Sequence, residues 1–285
     1  MRWLAAAAFW AGVGVLAACP SRAAETSGAG AGTGSAKPAA ARLISLTPSA
    51  TEVVAALGAT DALVGVDDYS TFPAEVGKLP KVGSFLAPNL EVIVRLKPSL
   101  VIVDDVHGQV AGALHDAGVA TAACAMHDLG DVKAALRTVG DRIGKSAEAT
   151  QVVAAIDGAI ARAAAAKPPT RPRVLAVIDR EAGGLGELVA AGPGSWVDEL
   201  LAVVGADNAL AAASVRYPKI SIEEVLRARP AVILDLSYAA RQGTEAWQAL
   251  KLAPAPRLVA IQAPYLLAPS PRVAEALADL AKALN

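Results

Sequence analysis

Residues 146–166 read Ser146-Ala-Glu148-Ala-Thr-Gln-Val152-Val153-Ala-Ala-Ile156-Asp-Gly-Ala-Ile160-Ala-Arg-Ala-Ala-Ala-Ala166. Val152, Val153, Ile156 and Ile160 recur three or four residues apart, which makes one apolar stripe on a helix. Ser146 suits the N-cap, and Glu148 puts negative charge in the first turn, where the helix dipole favours it. Pro168 and Pro169 follow and forbid continuation. Such a helix is roughly 30 Å long, about the size of one small domain. Its importance lies in what flanks it, because two segments before it recur after it in the same order.

The first pair is Ser49-Ala-Thr-Glu52-Val-Val-Ala-Ala-Leu-Gly58 and Trp196-Val-Asp-Glu-Leu-Leu-Ala-Val-Val-Gly205. Both read as a short helix stopped by a glycine in the left-handed conformation, with Ser49 capping the earlier one. The second pair is Asn89-Leu-Glu91-Val-Ile-Val-Arg95-Leu-Lys-Pro98 and Ser221-Ile-Glu223-Glu-Val-Leu-Arg227-Ala-Arg-Pro230, each running into an apolar strand. A capped helix, a proline and a buried strand are common grammar, but two motifs in the same order indicate two similar lobes.

Strands alternate with helices along both halves. Strands are expected at 42–46, 63–66, 100–103, 119–126, 173–178, 231–234 and 258–262, and helices at 108–117 and 129–143 among others. That alternation implies mostly parallel sheets covered on both faces. The expected fold is therefore α/β: two Rossmann-like lobes, 42–145 and 168–285, joined by one long rigid helix over 146–167, with a ligand cleft between them. A single rigid helix permits little hinge motion, so only small changes on ligand binding are expected.

Apolar residues make up 54% of the chain and charged residues 19%, a globular rather than a disordered composition. The net charge of −1 argues against bulk nucleic-acid binding. Three histidines and two cysteines are too few for a Cys/His zinc framework. Residues 1–18 carry Arg2 and an apolar run of signal-peptide length, too short for a comfortable membrane span. The run ends Leu16-Ala17-Ala18-Cys19, which resembles the bacterial lipoprotein box, with Cys19 as the lipidated residue. Ordinary cleavage near Ala23 or Ala24 is the other reading. Residues 19–41, rich in Gly, Ala, Ser and Thr, form a flexible tether. Cys124 lies in an apolar segment and reads as a buried core residue.

Ligands of parallel α/β lobes sit beyond the carboxyl ends of the strands. The loops there carry Tyr69, Phe85, His107, Arg180, Tyr217 and Tyr265, although aromatic residues are only 4% of the chain. An aromatic-rimmed cleft suits a large, flat, partly apolar ligand. His107 has two readings: a metal ligand through a ring nitrogen, or a loop residue paired with Asp104 or Asp105. Arg180 likewise either meets a ligand carboxylate or phosphate, or pairs with Asp179 or Glu181. No Gly-x-Ser-x-Gly elbow, His-Glu-x-x-His motif or dinucleotide glycine fingerprint is present, so an enzyme is not expected.

From about Arg42 onward the chain resembles the helical-backbone (class III) substrate-binding proteins of ABC importers, which carry vitamin B12, ferric siderophores or haem. The motifs are Ile44-Ser-Leu-Thr-Pro-Ser-Ala-Thr-Glu52, Leu63-Val-Gly-Val-Asp-Asp-Tyr-Ser70, Leu79-Pro-Lys-Val-Gly83, Asn89-Leu-Glu91, Lys97-Pro-Ser-Leu-Val-Ile102, Tyr217-Pro-Lys-Ile-Ser-Ile-Glu223 and Ser270-Pro-Arg272. Within that family the likeness is strongest to the corrinoid-binding branch.

The resemblance implies a monomeric, extracytoplasmic binding lipoprotein, held on the membrane only by its lipid anchor. It would capture cobalamin and deliver it to an inner-membrane permease with its ATPase. Glu91 and Glu223 match the acidic knobs that dock on the permease, and as first-turn residues they also complement their helix dipoles. Tyr69, Phe85 and Tyr217 match aromatic positions of the cobalamin cleft, the last two standing where that branch has tryptophan. Tyr265 lies in a contributing loop, but Pro264 stands where the branch has an acidic residue that meets the ligand. The alternatives are haem or a ferric siderophore in the same class, with Arg180, Arg216 and Arg241 at the mouth, or a ligand sensor without a transport role.

Overall fold

The structure is a computed structural model that describes residues 41–284. The expected signal segment, Cys19 and all but the last residue of the tether lie outside the described residues.

Before the long helix the chain forms β1 (Leu43–Ser45), α1 (Pro48–Ala56), β2 (Leu63–Val66), β3 (Gly83–Ser84), β4 (Ala87–Pro88), α2 (Leu90–Arg95), β5 (Leu100–Val103), α3 (Gly108–Asp116), β6 (Thr121–Ala123) and α4 (Leu129–Ile143). The long helix is α5 (Ser146–Ala165). After it come β7 (Arg173–Asp179), β8 (Leu188–Ala190), α6 (Trp196–Val204), β9 (Asp207–Asn208), β10 (Lys219–Ile220), α7 (Ile222–Ala228), β11 (Val232–Asp235), α8 (Glu245–Ala249), β12 (Arg257–Ala260), α9 (Pro264–Leu267) and α10 (Val273–Leu284).

The first lobe holds a parallel sheet in the order β2-β1-β5-β6. The second holds β10-β8-β7-β11-β12, with β9 also pairing β7. Its β7, β9, β11 and β12 are parallel, while β8 and β10 add antiparallel at one edge. This is the expected two-lobed α/β fold.

Strand periodicity sorts the core into layers, because alternate side chains face opposite sides of a sheet. Leu43, Leu100, Ile102, Val174, Ala176, Val232 and Leu234 face inward and share one buried cluster with Val153 and Ile156 of α5. Ile44, Val101 and Val103 face outward against Ile93 of α2 and Leu114 of α3. Leu175, Val177 and Ile233 do the same against Val225 and Trp247. The inner cluster therefore runs from one lobe to the other through α5.

The repeat is visible in backbone geometry. Helices α1 and α6 are followed by left-handed glycines, Gly58 at φ 66° and Gly205 at φ 82°. Helices α2 and α7 are capped by Asn89 and Ser221, whose side chains accept the backbone N–H of Val92 and Glu224. Lys97 and Arg229, each just before its proline, take φ 48° and 44°.

Local expectations need correction at three places. The cap of α1 is Thr47, whose hydroxyl accepts from Ala50 N at 3.0 Å, and not Ser49. Pro48 is preset for the first helical position, so the helix begins one residue before Ser49. Ser146 is the first residue of α5 rather than its cap, and its hydroxyl donates to Asp141 at 2.6 Å. Gly144, left-handed at φ 73°, ends α4, and the chain re-enters a helix after Lys145 alone. The strand expected over 119–126 shortens to Thr121–Ala123, because this edge pairs only with β5. Cys124 just beyond it is buried and free, as expected.

Candidate functional site

The loops beyond the carboxyl ends of the strands face each other across the two lobes. A cavity of about 250 Å³ opens between them, walled by Tyr69, Phe72 and the start of α1 on one side and by Pro264 to Ser270 on the other. Among the described residues, most of the exposed large apolar side chains stand in these loops: Tyr69, Phe72, Leu86, Val106, Val215, Tyr217, Tyr238 and Leu267. Tyr69 is 64% exposed and Tyr238 71%. Exposed apolar groups gathered in a concave region mark a ligand surface.

Tyr69 is held out by the loop beneath it. Asp67 Oδ2 accepts from Tyr69 N at 2.9 Å, and Asp67 Oδ1 accepts the Ser70 hydroxyl. Ser70 Oγ lies 2.7 Å from Thr51 Oγ1, which in turn lies 2.6 Å from Ser45 Oγ. Lys81 Nζ donates to the carbonyls of Asp67 and Ser70 at 3.0 and 2.8 Å. The sequence Asp67-Asp-Tyr-Ser70 thus folds as a side-chain-locked turn and leaves the phenol to the cleft. Burial raises the Asp67 carboxyl, against the hydrogen bonds from Ser70 and Tyr69 N and the Lys81 charge.

Tyr217 projects from a second rigid loop. Gly192 N donates to Arg216 O at 2.8 Å, and Ala190 N donates to Pro218 O at 3.0 Å. A Cβ on Gly192 would stand 2.3 Å from Val215 O, so only glycine permits this approach. Partial burial raises the Tyr217 phenol above its ordinary range. Phe85, half-buried, packs edge-on against the His107 ring at 5.2 Å between centroids.

Three of the expected ligand residues have their polar groups engaged within the protein. His107 is 4% exposed. Its Nδ1 accepts from Asp104 N at 3.0 Å, which leaves the proton on Nε2, and Nε2 donates to Phe85 O at 2.6 Å. Both ring nitrogens are engaged, so His107 is a brace for the Phe85 hairpin and offers no lone pair to a metal. Arg180 is buried against Asp235, and its remaining N–H groups go to the carbonyls of Gly184, Ala239 and Gly243. It ties together two cleft loops of the second lobe and does not reach into the cleft. Tyr265 donates its hydroxyl to Asp279 of α10 at 2.5 Å and lies under the Arg272 guanidinium, 4.2 Å from its ring centre. Burial, with Asp279 alongside, pushes that phenol up to about 12. Its neighbours Pro264 and Leu267 line the cavity instead.

A polar strip lies at the ends of β5 and β6. His127 Nε2 meets Asp105 Oδ2 at 3.0 Å, which raises the imidazole. Burial pushes the adjacent Asp104 carboxyl up to about 6, while Asp104 and His127 hold Asp105 down to about 2. Among the described residues no group of three or more His, Cys, Asp and Glu is disposed to hold a metal ion.

Glu91 and Glu223 stand exposed at equivalent first-turn positions of α2 and α7. Glu91 lies 3.7 Å from Arg95 on its own helix. Its own backbone N–H, helped by the Ser221 side chain, holds the Glu223 carboxyl below its usual range.

Sequence reading missed Tyr238, Phe72 and Glu52. Tyr238 follows a strand end, so the rule that found Tyr69 would have found it. Phe72 sits three residues past Tyr69 in the same loop. Glu52 lies inside a helix, and only the apposition of the lobes makes it a cavity residue.

A two-lobed α/β molecule with one long helix through its core and an aromatic cleft between the lobes is a substrate-binding protein of the kind that serves B12- and haem-type ABC importers. The chain belongs to the periplasmic binding protein family, whose sequence profile matches residues 43–254. It is 28% identical over 252 residues to the vitamin B12-binding protein of Vibrio cholerae serotype O1, covering 84% of this chain and 87% of the relative. The apo periplasmic haem-binding protein RhuT from Roseiflexus sp. RS-1 superimposes with a TM-score of 0.76 at 30% identity, over 86% of this chain and 97% of that one. The vitamin B12-binding protein BtuF of Vibrio cholerae gives 0.67 at 27% identity, over 85% and 96%. These relatives are binding proteins, not enzymes.

Proposed function

We propose that this chain captures a corrinoid, with cobalamin as the type ligand, in the interlobe cleft and delivers it to an ABC permease and its ATPase. The observation that carries the reading is a cavity wall that is largely aromatic and aliphatic, beside a buried His107 whose two ring nitrogens are both engaged within its own lobe. A corrinoid brings cobalt already held by its own ring and axial groups, so the protein needs to supply flat apolar surface and no metal ligand. Tyr69, Phe85, Tyr217 and Tyr238 offer that surface. The vitamin B12-binding relative supports the same ligand class.

Haem is the second reading. Tyrosine is a known haem ligand, Tyr69 presents an exposed phenol, Tyr238 presents one that among the described residues accepts only from Arg241 at 3.3 Å, and the RhuT structure is that of a haem-binding protein. A ferric chelate has less support. Arg180 is engaged inside its lobe, and Arg241 lies over the Tyr238 ring at 4.4 Å and bonds Gln262.

The proposed organisation is a signal peptide over 1–18, a tether over 19–41 lipidated at Cys19, lobes over 42–145 and 168–285, and the connecting helix over 146–167. The mature protein is a monomer held at the cell surface or in the periplasm by its anchor. Glu91 and Glu223 are its docking points on the permease. Calorimetric titration of residues 42–285 with cyanocobalamin, with haemin in parallel, tests the ligand. Saturable one-to-one corrinoid binding supports the reading; binding of haemin alone replaces it.

A further inference from the structure

Glu52 is a buried carboxylate at the wall of the interlobe cavity. Its side chain comes from the second turn of α1, and the residue is 7% exposed. It lines the cavity beside Tyr69, Phe72 and Leu267. Buried carboxylates away from a partner are rare, because taking the charge out of water is costly unless it is paired.

The partner comes from the other lobe. Ser270 donates its hydroxyl hydrogen to Glu52 Oε2 across 218 residues of sequence. The same hydroxyl oxygen accepts Arg272 N at 3.0 Å. With its oxygen serving Arg272 and its hydrogen serving Glu52, Ser270 fixes the carboxyl as an acceptor. This single hydroxyl pairs with one carboxylate oxygen, and Oε1 has no hydrogen bond of its own among the described residues.

Among the described residues no cation neutralises Glu52 by contact. The nearest, Arg272, is ion-paired with Glu275. Its guanidinium is also stacked between Phe72 of the first lobe and Tyr265 of the second, 4.2 Å from each ring centre. The rest of the cavity wall is mostly apolar, with Pro48, Pro264, Ala268 and Pro269, and adds the neutral residues Ser49 and Thr71. Burial raises the carboxyl above its ordinary range, against the Ser270 hydrogen bond and the Arg272 charge.

From this geometry we infer that Glu52 is a selectivity residue, accepting an N–H from a carboxamide on the ligand and disfavouring a ligand carboxylate at the same place. The inference rests on the corrinoid reading, since corrinoids carry peripheral carboxamides whereas haem carries carboxylates. A like charge at close range discriminates by repulsion, and Glu52 is the one charged group lining this cavity among the described residues.

The test compares cyanocobalamin with the monocarboxylic acids made by hydrolysing single propionamides of cyanocobalamin. Binding is measured by calorimetry at pH 8 on the wild type, Glu52→Gln and Ser270→Ala. The wild type is expected to bind the intact amide about tenfold more tightly than at least one acid, the acid whose carboxylate falls beside Glu52. Glu52→Gln keeps the shape and an acceptor oxygen but removes the charge. It is expected to narrow that gap to less than about threefold, and to weaken cyanocobalamin itself because a charge-assisted acceptor becomes a neutral one.

Ser270→Ala removes the interlobe hydrogen bond and keeps the charge, so the gap is expected to persist. A gap unchanged in Glu52→Gln, or equally lost in Ser270→Ala, overturns the assignment, because the contact and not the charge would then matter. If haemin binds and cyanocobalamin does not, the corrinoid reading falls, and the same variants are read with haemin against its dimethyl ester. Preference for the ester that disappears in Glu52→Gln upholds the role of Glu52 even then, and an unchanged preference overturns it. Binding of neither ligand overturns both.

Discussion

Arg180 Nε donates to Asp235 Oδ2 at 2.7 Å, and each side chain is only 1% exposed. Trp247 Nε1 donates to the same oxygen at 2.9 Å, while Ser237 serves the other through its N–H and its hydroxyl. The pair therefore sits in a satisfied network under the loops that carry Gly184 and Tyr238. Removing one partner of such a pair leaves an uncompensated buried charge. Arg180→Ala is expected to lower stability by about 3–5 kcal/mol in urea unfolding. A variant that unfolds like the wild type but loses ligand would return Arg180 to the list of direct contacts.

The aromatic wall should behave in the opposite way. Tyr69, Tyr217 and Tyr238 are substantially exposed, so truncation costs little packing. Each change to alanine is expected to weaken ligand binding about tenfold or more, with the melting temperature unchanged. His107→Ala is expected to lose stability first, because the Phe85 carbonyl and Asp104 N–H both lose their partner. Calorimetry beside a melting curve separates the two kinds of residue.

Docking is predicted to be separable from capture. Glu91 and Glu223 lie on exposed helix starts, distant in sequence from the residues that wall the cavity. Changing both to alanine should leave ligand affinity unaltered. Stimulation of the permease-coupled ATPase in proteoliposomes should fall, more so at low salt, since exposed charges mainly set orientation and on-rate. Equal stimulation by the double variant and the wild type would remove these residues from the interface.

The Asp104–Asp105 pair gives a pH signature. Asp104 titrates near about 6 in the folded protein, above its ordinary 3.8. A group whose folded value is raised favours the folded state when protonated, and that contribution is lost as pH climbs through the folded value. The wild type should therefore lose stability relative to Asp104→Asn between about pH 4 and pH 6, and hold a constant difference above that. Asp105, depressed to about 2, has the reverse sign and acts only below the ordinary aspartate range. Melting temperatures of both proteins from pH 4 to 8 check this; a difference flat across the window contradicts it.

The shared inner core argues for stiffness between the lobes. Ala149, Val153, Ile156 and Ala159 of α5 are buried in the same cluster as Leu43 and Ile102 of the first sheet and Val174 and Leu234 of the second. Leu129 N also donates to Glu199 Oε2 across the lobes at 2.8 Å. Packed interfaces shift by small sliding rather than wide hinging. Crystal structures with and without ligand are expected to superimpose over both sheets; a domain rotation of tens of degrees would contradict the core-based argument.

Much of this molecule was legible residue by residue. The helix over 146–165, the strands Leu63–Val66 and Leu100–Val103, and the helix Leu129–Ile143 follow from periodicity and from stop signals such as Pro168 and Gly144. The duplicated tips followed too, because a cap, a first-turn glutamate and a proline are local in sequence. Those features depend on neighbours within one or two turns, and the order of residues determines them. The fate of His107, Arg180 and Tyr265 did not follow. A side chain at a strand end can turn to the cleft or to its own lobe, and the choice depends on partners far along the chain: Phe85 for His107, Asp235 for Arg180, Asp279 for Tyr265. The antiparallel β8 and β10 edge was hidden for the same reason, since strands this short carry almost no periodic signal. Only the meeting of the two lobes brought Ser270 to Glu52 and Arg272 to Phe72. Sequence spacing contains no measure of that approach; packing of both sheets on one helix supplies it.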